Sequence, residues 1–135
     1  MNLQRMRGLI RHLTRIEWRI QRAKAKATKI TTELTGMPRG SGNHSQVEDG
    51  AIQIADLEEA YAEAFAELQG MREQLKPLIL MLDNPDHVAA MRLRYLNGYS
   101  AEDIADAINM SDRQVYRILK QAEREILKRY VSECQ

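Results

Sequence analysis

The sequence is poor in the residues on which several classes of protein depend. Among 135 residues there is one cysteine, Cys134, so an intramolecular disulfide framework and a cysteine-rich zinc site are excluded. Aromatic residues make up 5% of the chain, with three prolines and seven glycines. A β-sandwich or barrel needs turn signals roughly every ten residues. This composition, rich in the residues that long helices use, therefore predicts an all-α fold.

Long apolar runs and a net charge are also missing. No run approaches the roughly 18–20 apolar residues of a membrane span, and arginines interrupt the apolar positions of the N-terminus, so it does not resemble a signal peptide. We expect a cytoplasmic protein with no membrane partner. The net charge of +1 by itself argues against a nucleic-acid partner, but the charge is segregated. Residues 1–35 carry +7, residues 36–85 carry −6, and residues 86–135 balance.

Two long apolar seams predict two helices that pack against each other. Both alternate steps of three and four residues, which is the spacing of one face of a helix. The first comprises Leu9, Leu13, Ile16, Ile20, Ala23, Ala27, Ile30 and Leu34, and the second Ile54, Leu57, Tyr61, Ala64, Leu68, Met71, Leu75, Leu78 and Leu82. A segment rich in glycine and polar residues, 35–47, separates them. We therefore predict a coiled-coil-like antiparallel helical hairpin over residues 1–82.

The hairpin would place a basic helix beside an acidic one. Two roles are open for the basic helix, namely pairing with the acidic helix and binding of phosphate groups; the first is the preferred interpretation. Two further apolar sets lie off the seams, Leu3, Met6 and Ile10 on one helix and Ile52, Phe65 and Ile79 on the other. These sets could join a second copy, so we expect a homodimer. Trp18 also lies off the seam and could cover the hairpin or contact a partner.

A second unit begins after the hairpin. Pro77 cannot donate to the carbonyl four residues earlier, which predicts a kink or a break in the second helix. Asp86 is the expected N-cap of a helix from His87 to Leu96, and Gly98 is expected to supply a left-handed residue after it. The predicted second domain spans residues 86–135.

Within this domain, two capped helices follow each other closely. Ser100 with Asp103, and Ser111 with Gln114, have the spacing of capping boxes. Asn109 tolerates a positive φ and can end a helix over 101–108 in a sharp turn. Ala105 leaves room for the helices to cross, and the apolar residues expected between them are Ile104, Ile108, Met110, Val115 and Ile118. This is the pattern of a helix-turn-helix motif.

Residues 94–129, RYLNGYSAEDIADAINMSDRQVYRILKQAEREILKR, resemble the region 4 DNA-binding domain of bacterial sigma factors. With the N-terminal helices and the MPRGSG segment, the whole chain resembles small phage transcriptional regulators of the RinA/ArpU type. It departs from the common pattern at Asn109, usually Gly, and at Asp103, usually Glu. The resemblance implies sequence-specific DNA binding that activates phage late or packaging genes.

A recognition helix presents its first turns to base edges in the major groove. The residues placed to do so are Asp112, Arg113, Tyr116, Arg117 and Gln121. Those placed to contact phosphates are Ser100, Ser111, Lys120 and Arg124. Asp112 has the competing role of offsetting the helix dipole.

Other features are assigned no chemistry. The three histidines are scattered and no carboxylates form an acid–base pair, so we expect no enzyme activity, metal site or cofactor. Tyr95 and Tyr99 are expected in the core with Tyr116 facing outward, and Arg94 is a hypothetical ion-pair partner of Asp103.

The sequence thus predicts a helix-turn-helix transcriptional regulator. Its expected partners are double-stranded DNA, a second copy through the hairpin and RNA polymerase. Two alternatives stay open. One is a DNA-binding component of phage packaging, similar to a small terminase subunit, and the other is an interaction module that has lost DNA affinity.

Overall fold

The computed structural model describes residues 1–36 and 42–134, with side chains described outside 30–47 and 133–134. The predicted all-α fold is confirmed, since the described residues form helices and no strands. The elements are α1 (Leu3–Gly36), α2 (Gly42–Leu80), α3 (Pro85–Met91), a π-helical turn (Arg92–Leu96), α4 (Ala101–Ile108) and α5 (Asp112–Cys134).

The first two helices form the predicted antiparallel hairpin. Lys24 Nζ lies 3.5 Å from Glu58 Oε1, so the two helices lie side by side at these residues. In a parallel arrangement the end of α1 and the start of α2 would be about 42 Å apart, at 1.5 Å per residue. The six steps from residue 36 to residue 42 span at most about 22 Å. An antiparallel pair is therefore required.

Two details of the hairpin differ from expectation. The predicted connection 35–47 was too long, because α1 continues to Gly36 and α2 begins at Gly42; residues 37–41 lie outside the described residues. Pro77 does not break α2, which runs through it to Leu80. A proline removes only one backbone hydrogen bond, and its neighbours Leu75, Leu78 and Ile79 are all buried, so packing holds the helix through it.

The chain divides into two compact units, Met1–Gly8 with Leu68–Gln135, and Leu9–Glu67. This division differs from the predicted boundary at 82–86, because both ends of the hairpin sequence belong with the C-terminal helices. The first unit contains Leu3, Met6 and Ile79, which are at most 5% exposed. These three residues are buried in their own chain, so the prediction that they join a second copy is wrong.

The second unit, Leu9–Glu67, follows the predicted seams. Leu9, Leu13, Ile16 and Ala64 are buried. Further along the seams, Ile20, Ala23, Ala27, Ile54, Leu57 and Tyr61 are half-buried. Ile30 and Leu34 lie outside the described side chains.

Helix α3 begins earlier than predicted. Asn84 is its N-cap, with Oδ1 accepting a 2.9 Å hydrogen bond from the Asp86 N–H, and Pro85 is its first residue. Asp86 as N-cap was therefore wrong. Proline suits the first helical position because its φ is preset and the N–H it lacks would have no helical partner, which moves the cap to the residue before it.

The approach to the helix-turn-helix is a π-helical turn. Its last residue is followed by Asn97, whose N–H donates to the Arg92 carbonyl at 3.1 Å, and the Tyr99 N–H donates to the Leu93 carbonyl at 2.9 Å. Gly98 has φ 74°, so the prediction of a left-handed glycine here is confirmed.

Candidate nucleic-acid interface

The turn between α4 and α5 is built by the predicted caps. The Ser100 Oγ accepts from the Asp103 N–H at 3.1 Å and so starts α4. Asn109 has φ 56° and ends α4 in the left-handed conformation. At the start of α5 the Ser111 Oγ accepts from the Gln114 N–H at 3.2 Å, while Gln114 Oε1 accepts from the Ser111 N–H at 3.0 Å. This second capping box is complete.

The two helices cross over a small apolar core. Ile104, Ala105 and Val115 are at most 4% exposed, while Ile108, Met110 and Ile118 are half-buried. The Met110 N–H donates to the Ala105 carbonyl at 3.0 Å, which closes the turn directly over the crossing. The predicted helix-turn-helix geometry is therefore present.

The outward face of α5 is strongly basic. Four of its cations lie within an arc of about 60°, at 100° per residue, directly opposite the buried residues Val115, Leu119, Ala122 and Ile126. They are Arg113, Arg117, Lys120 and Arg124. All four are exposed, and in the described part of the chain none of them makes an ion pair. We call them the α5 cation row.

The remaining predicted contact residues border this row. Asp112, Tyr116 and Gln121 are exposed, and Tyr116 is 52% accessible. The Tyr116 hydroxyl donates to Glu102 Oε1 at 3.3 Å, which ties the start of α5 to α4. Asp112 lies in the first turn of α5, where its carboxylate also offsets the helix dipole.

The two serines predicted to contact phosphates differ in whether the hydroxyl proton is already used in a hydrogen bond. Ser111 Oγ lies 3.2 Å from Gln114 Oε1 and donates its proton within its own capping box. Ser100 uses only a lone pair in its cap, so its O–H stays available to a phosphate oxygen. Of the two, Ser100 is the better placed donor.

A partly buried polar cluster that sequence reasoning missed holds α5 in place. The Tyr95 hydroxyl donates to Glu123 Oε1 at 2.6 Å, and Arg7 Nη1 donates to both the Tyr95 oxygen at 3.0 Å and Glu123 at 3.1 Å. Arg72 Nε donates to the Tyr95 carbonyl at 2.7 Å. We call Arg7, Tyr95 and Glu123 the anchor cluster. It joins residues 88 and 116 positions apart in the chain, and no local sequence signal reveals such a contact.

The anchor cluster has an electrostatic signature. Tyr95 is fully buried. Burial, followed by its hydrogen bond and its charge interaction with Glu123, raises the pKa of the Tyr95 hydroxyl above its ordinary value. The tyrosine therefore stays protonated as a hydrogen-bond donor, and it orients the middle of the helix that carries the α5 cation row. Arg129 reinforces the far end, 3.8 Å from Asp83.

Two predictions around the site were wrong. Tyr99 is 42% exposed and does not pack in the core, because the chain turns at Gly98 just before it. Tyr95 is in the core and Tyr116 faces outward, as predicted. Arg94 makes no ion pair with Asp103 in the part of the chain described; its Nε is buried without a hydrogen-bond partner, whereas Asp103 is exposed.

The described residues also bear on metal binding and on membrane insertion. Within residues 1–36 and 42–134, no group of three or more His, Cys, Asp or Glu side chains could hold a metal ion. Over the same residues, no helix combines the length and the hydropathy needed to span a bilayer.

Comparison with known proteins shows the family. Residues 26–127 match the family described as a protein of unknown function, DUF1492, and the chain belongs to that family. No curated protein and no solved structure matches the chain.

Proposed function

We propose that this protein is a sequence-specific DNA-binding transcriptional regulator of phage or prophage origin, acting in the cytoplasm of a bacterial host. The observation that carries the proposal is the α5 cation row. Four unpaired cations stand on the outward face of the second helix of a helix-turn-helix whose caps and turn are fully formed.

The geometry suits insertion of α5 into the major groove. That groove is about 12 Å wide and admits a helix. Arg113 and Arg117 lie in the first two turns of α5, where a recognition helix meets base edges, and each guanidinium can pair with guanine O6 and N7. Gln121, one turn further, can pair with adenine. Lys120 and Arg124 then lie along the same face to neutralise phosphates.

The caps and the anchor cluster supply the rigidity that readout requires. A bidentate base contact discriminates by about 1–3 kcal/mol only if the side chain is held in position. The Ser111–Gln114 capping box fixes the first turn of α5, and Glu123 fixes its middle through Tyr95 and Arg7. The reading helix is therefore held near both ends of the α5 cation row.

A homodimer remains part of the proposal, through a smaller surface than the sequence suggested. Phe65 is 40% exposed, and its ring is stacked on Tyr61 at 6.0 Å between centroids. Both residues lie on α2 within unit Leu9–Glu67; Ile52, although 61% exposed, lies about 140° around the helix from Phe65 and is not part of this surface. Two copies joined here would present two reading helices to a symmetric site.

The deciding experiment compares two double variants on a duplex selected by the protein from a random library. Arg113→Ala/Arg117→Ala should weaken binding by at least about tenfold, because each lost guanine contact costs about 1–3 kcal/mol. Lys24→Ala/Lys76→Ala removes the same charge from residues paired with Glu58 and Glu73 and leaves α5 unchanged, so this variant should bind within about twofold of the parent.

Fluorescence anisotropy measures both affinities, and circular dichroism checks that both variants are folded. Equal affinity of the two variants would refute the assignment of α5 as the reading helix. Sedimentation of the parent protein with and without DNA should show a dimer. Ring-sized oligomers would instead indicate a packaging component.

A further inference from the structure

Helix α1 carries a second row of cations within unit Leu9–Glu67. The row consists of Arg11, Arg15, Arg22, Lys26 and Lys29. At 100° per residue these five positions fall within an arc of about 60°, on the side of α1 opposite buried Leu13 and Ile16. Between Arg11 and Lys29 no acidic residue lies within that arc; the next acidic position at this angle is Glu33, whose side chain lies outside the described residues. We call this set the α1 cation row.

The acidic helix does not neutralise the α1 cation row. Between the helices, Lys24 pairs with Glu58, but Lys24 lies on the opposite side of α1 from the row. The five row cations are all exposed, and among the described residues none of them takes part in an ion pair. The expectation that pairing with α2 accounts for this basic helix is therefore wrong for these five residues. Their charge is available to an outside partner.

The spacing of the row suits a polyanion. From Arg11 to Lys29 it extends over 18 helical steps, or about 27 Å, with a cation at almost every turn. Duplex DNA offers one negative charge per roughly 1.7 Å of axis, so several phosphates lie within reach along this length. Arg22 lies over the Trp18 ring, 4.8 Å from its centroid, and a guanidinium stacked in this way keeps its N–H edges free to donate.

The composition of this face distinguishes DNA from a protein partner. The core of a protein interface is depleted in charge and supplies apolar area, whereas the outward face of α1 carries the five cations of the row and, at its border, one large apolar side chain, Trp18, which is 58% exposed. We infer that the outward face of α1 binds the phosphate backbone of duplex DNA independently of base sequence, in addition to the contact made by α5. This inference rests on the proposed function.

The test measures salt dependence on a random-sequence duplex of about 40 bp, because phosphate contacts need no target sequence. The row variant is Arg11→Gln/Arg15→Gln/Lys26→Gln, and its charge-preserving control is Arg11→Lys/Arg15→Lys/Lys26→Arg. Each lost phosphate contact lowers the slope of log affinity against log salt by about 0.9. Three lost contacts lower it by about 2.7, so the loss of affinity between about 50 and 200 mM salt should be about 40-fold smaller than in the parent.

The control should keep the parent slope. An unchanged slope in the row variant, with Arg113→Ala/Arg117→Ala still weakening binding to the selected duplex, would overturn this inference and leave the proposed function standing. A reduced slope in the row variant, with no effect of Arg113→Ala/Arg117→Ala on binding to the selected duplex, would instead support the α1 contact and refute the assignment of α5 as the reading helix. Sedimentation without DNA tests whether this face of α1 binds a second copy of the chain instead. If the row variant loses self-association that the control keeps, the face binds a second copy and the inference is wrong.

Discussion

The anchor cluster makes a prediction with two separate readouts. In Tyr95→Phe the ring stays buried and only the hydroxyl is lost, together with its 2.6 Å hydrogen bond to Glu123. A hydrogen bond to a charged group contributes about 1.5–3 kcal/mol. Arg7 and Glu123 keep each other as partners at 3.1 Å, so neither charge is left unpaired. We therefore expect the free energy of unfolding to fall by about 1.5 kcal/mol near neutral pH, the lower end of that range.

The second readout is the pH dependence. The pKa of the Tyr95 hydroxyl is raised in the folded protein, by burial first and then by Glu123. A raised pKa contributes stability that is present below the pKa of the unfolded chain, about 10, and is lost as the pH rises above it. The parent should lose about 1.4 kcal/mol per pH unit above about pH 10 from this group alone, whereas Tyr95→Phe has no such loss. The difference between the two proteins should vanish near pH 11.

Urea denaturation followed by circular dichroism, at about pH 8 and at about pH 11, measures both effects. Tyr99→Phe is the matched control, because Tyr99 is exposed and should change stability by less than about 0.5 kcal/mol at either pH. A difference between parent and Tyr95→Phe that stays constant from pH 8 to pH 11 would refute the account of the anchor cluster.

Two further predictions concern the helix-turn-helix. Asn109→Ala should destabilise the unit by about 1 kcal/mol, because φ 56° places a Cβ in the left-handed region that Asn tolerates better than Ala; thermal denaturation checks this, and an unchanged midpoint would contradict the strained turn. Ala105 is 4% exposed at the helix crossing, so Ala105→Leu should lower the free energy of unfolding by about 1–3 kcal/mol through overpacking. Ala107 is exposed, and Ala107→Leu should not lower it. Equal urea midpoints for these two variants would show that the crossing is not tight.

Local features of this fold were predictable because their signals lie within a few residues of each other. The Ser111–Gln114 capping box, the left-handed Asn109 and the left-handed Gly98 each depend on backbone geometry that the neighbouring side chains determine. The start of α3 was missed although its signal was local, since Asn84 and Pro85 together specify a cap one residue before a proline.

Contacts that residues outside the two seams make with distant segments were not predictable. The sequence predicts that residues 1–82 form the hairpin, but Leu3, Met6 and Ile79, near its two ends, are buried in the unit that contains the helix-turn-helix. An apolar residue off a seam has the same sequence signature whether it meets a second copy or another segment of its own chain. Arg94 shows the same limit for charges, since proximity in sequence to Asp103 did not bring the two side chains together.

The sequence by itself determined the helical class, the hairpin seams, the caps of α4 and α5, and the residues on the outward face of α5, because helix periodicity and capping act within four residues. Only the tertiary structure decided which charges are paired within the molecule. Arg7 pairs with Glu123 and hydrogen-bonds Tyr95, and Lys24 pairs with Glu58, whereas the cations of the α1 and α5 rows are exposed and, within the described part of the chain, unpaired. Whether a charge is paired depends on which side chains the fold brings within about 4 Å, and a count of 20 against 19 does not contain that information.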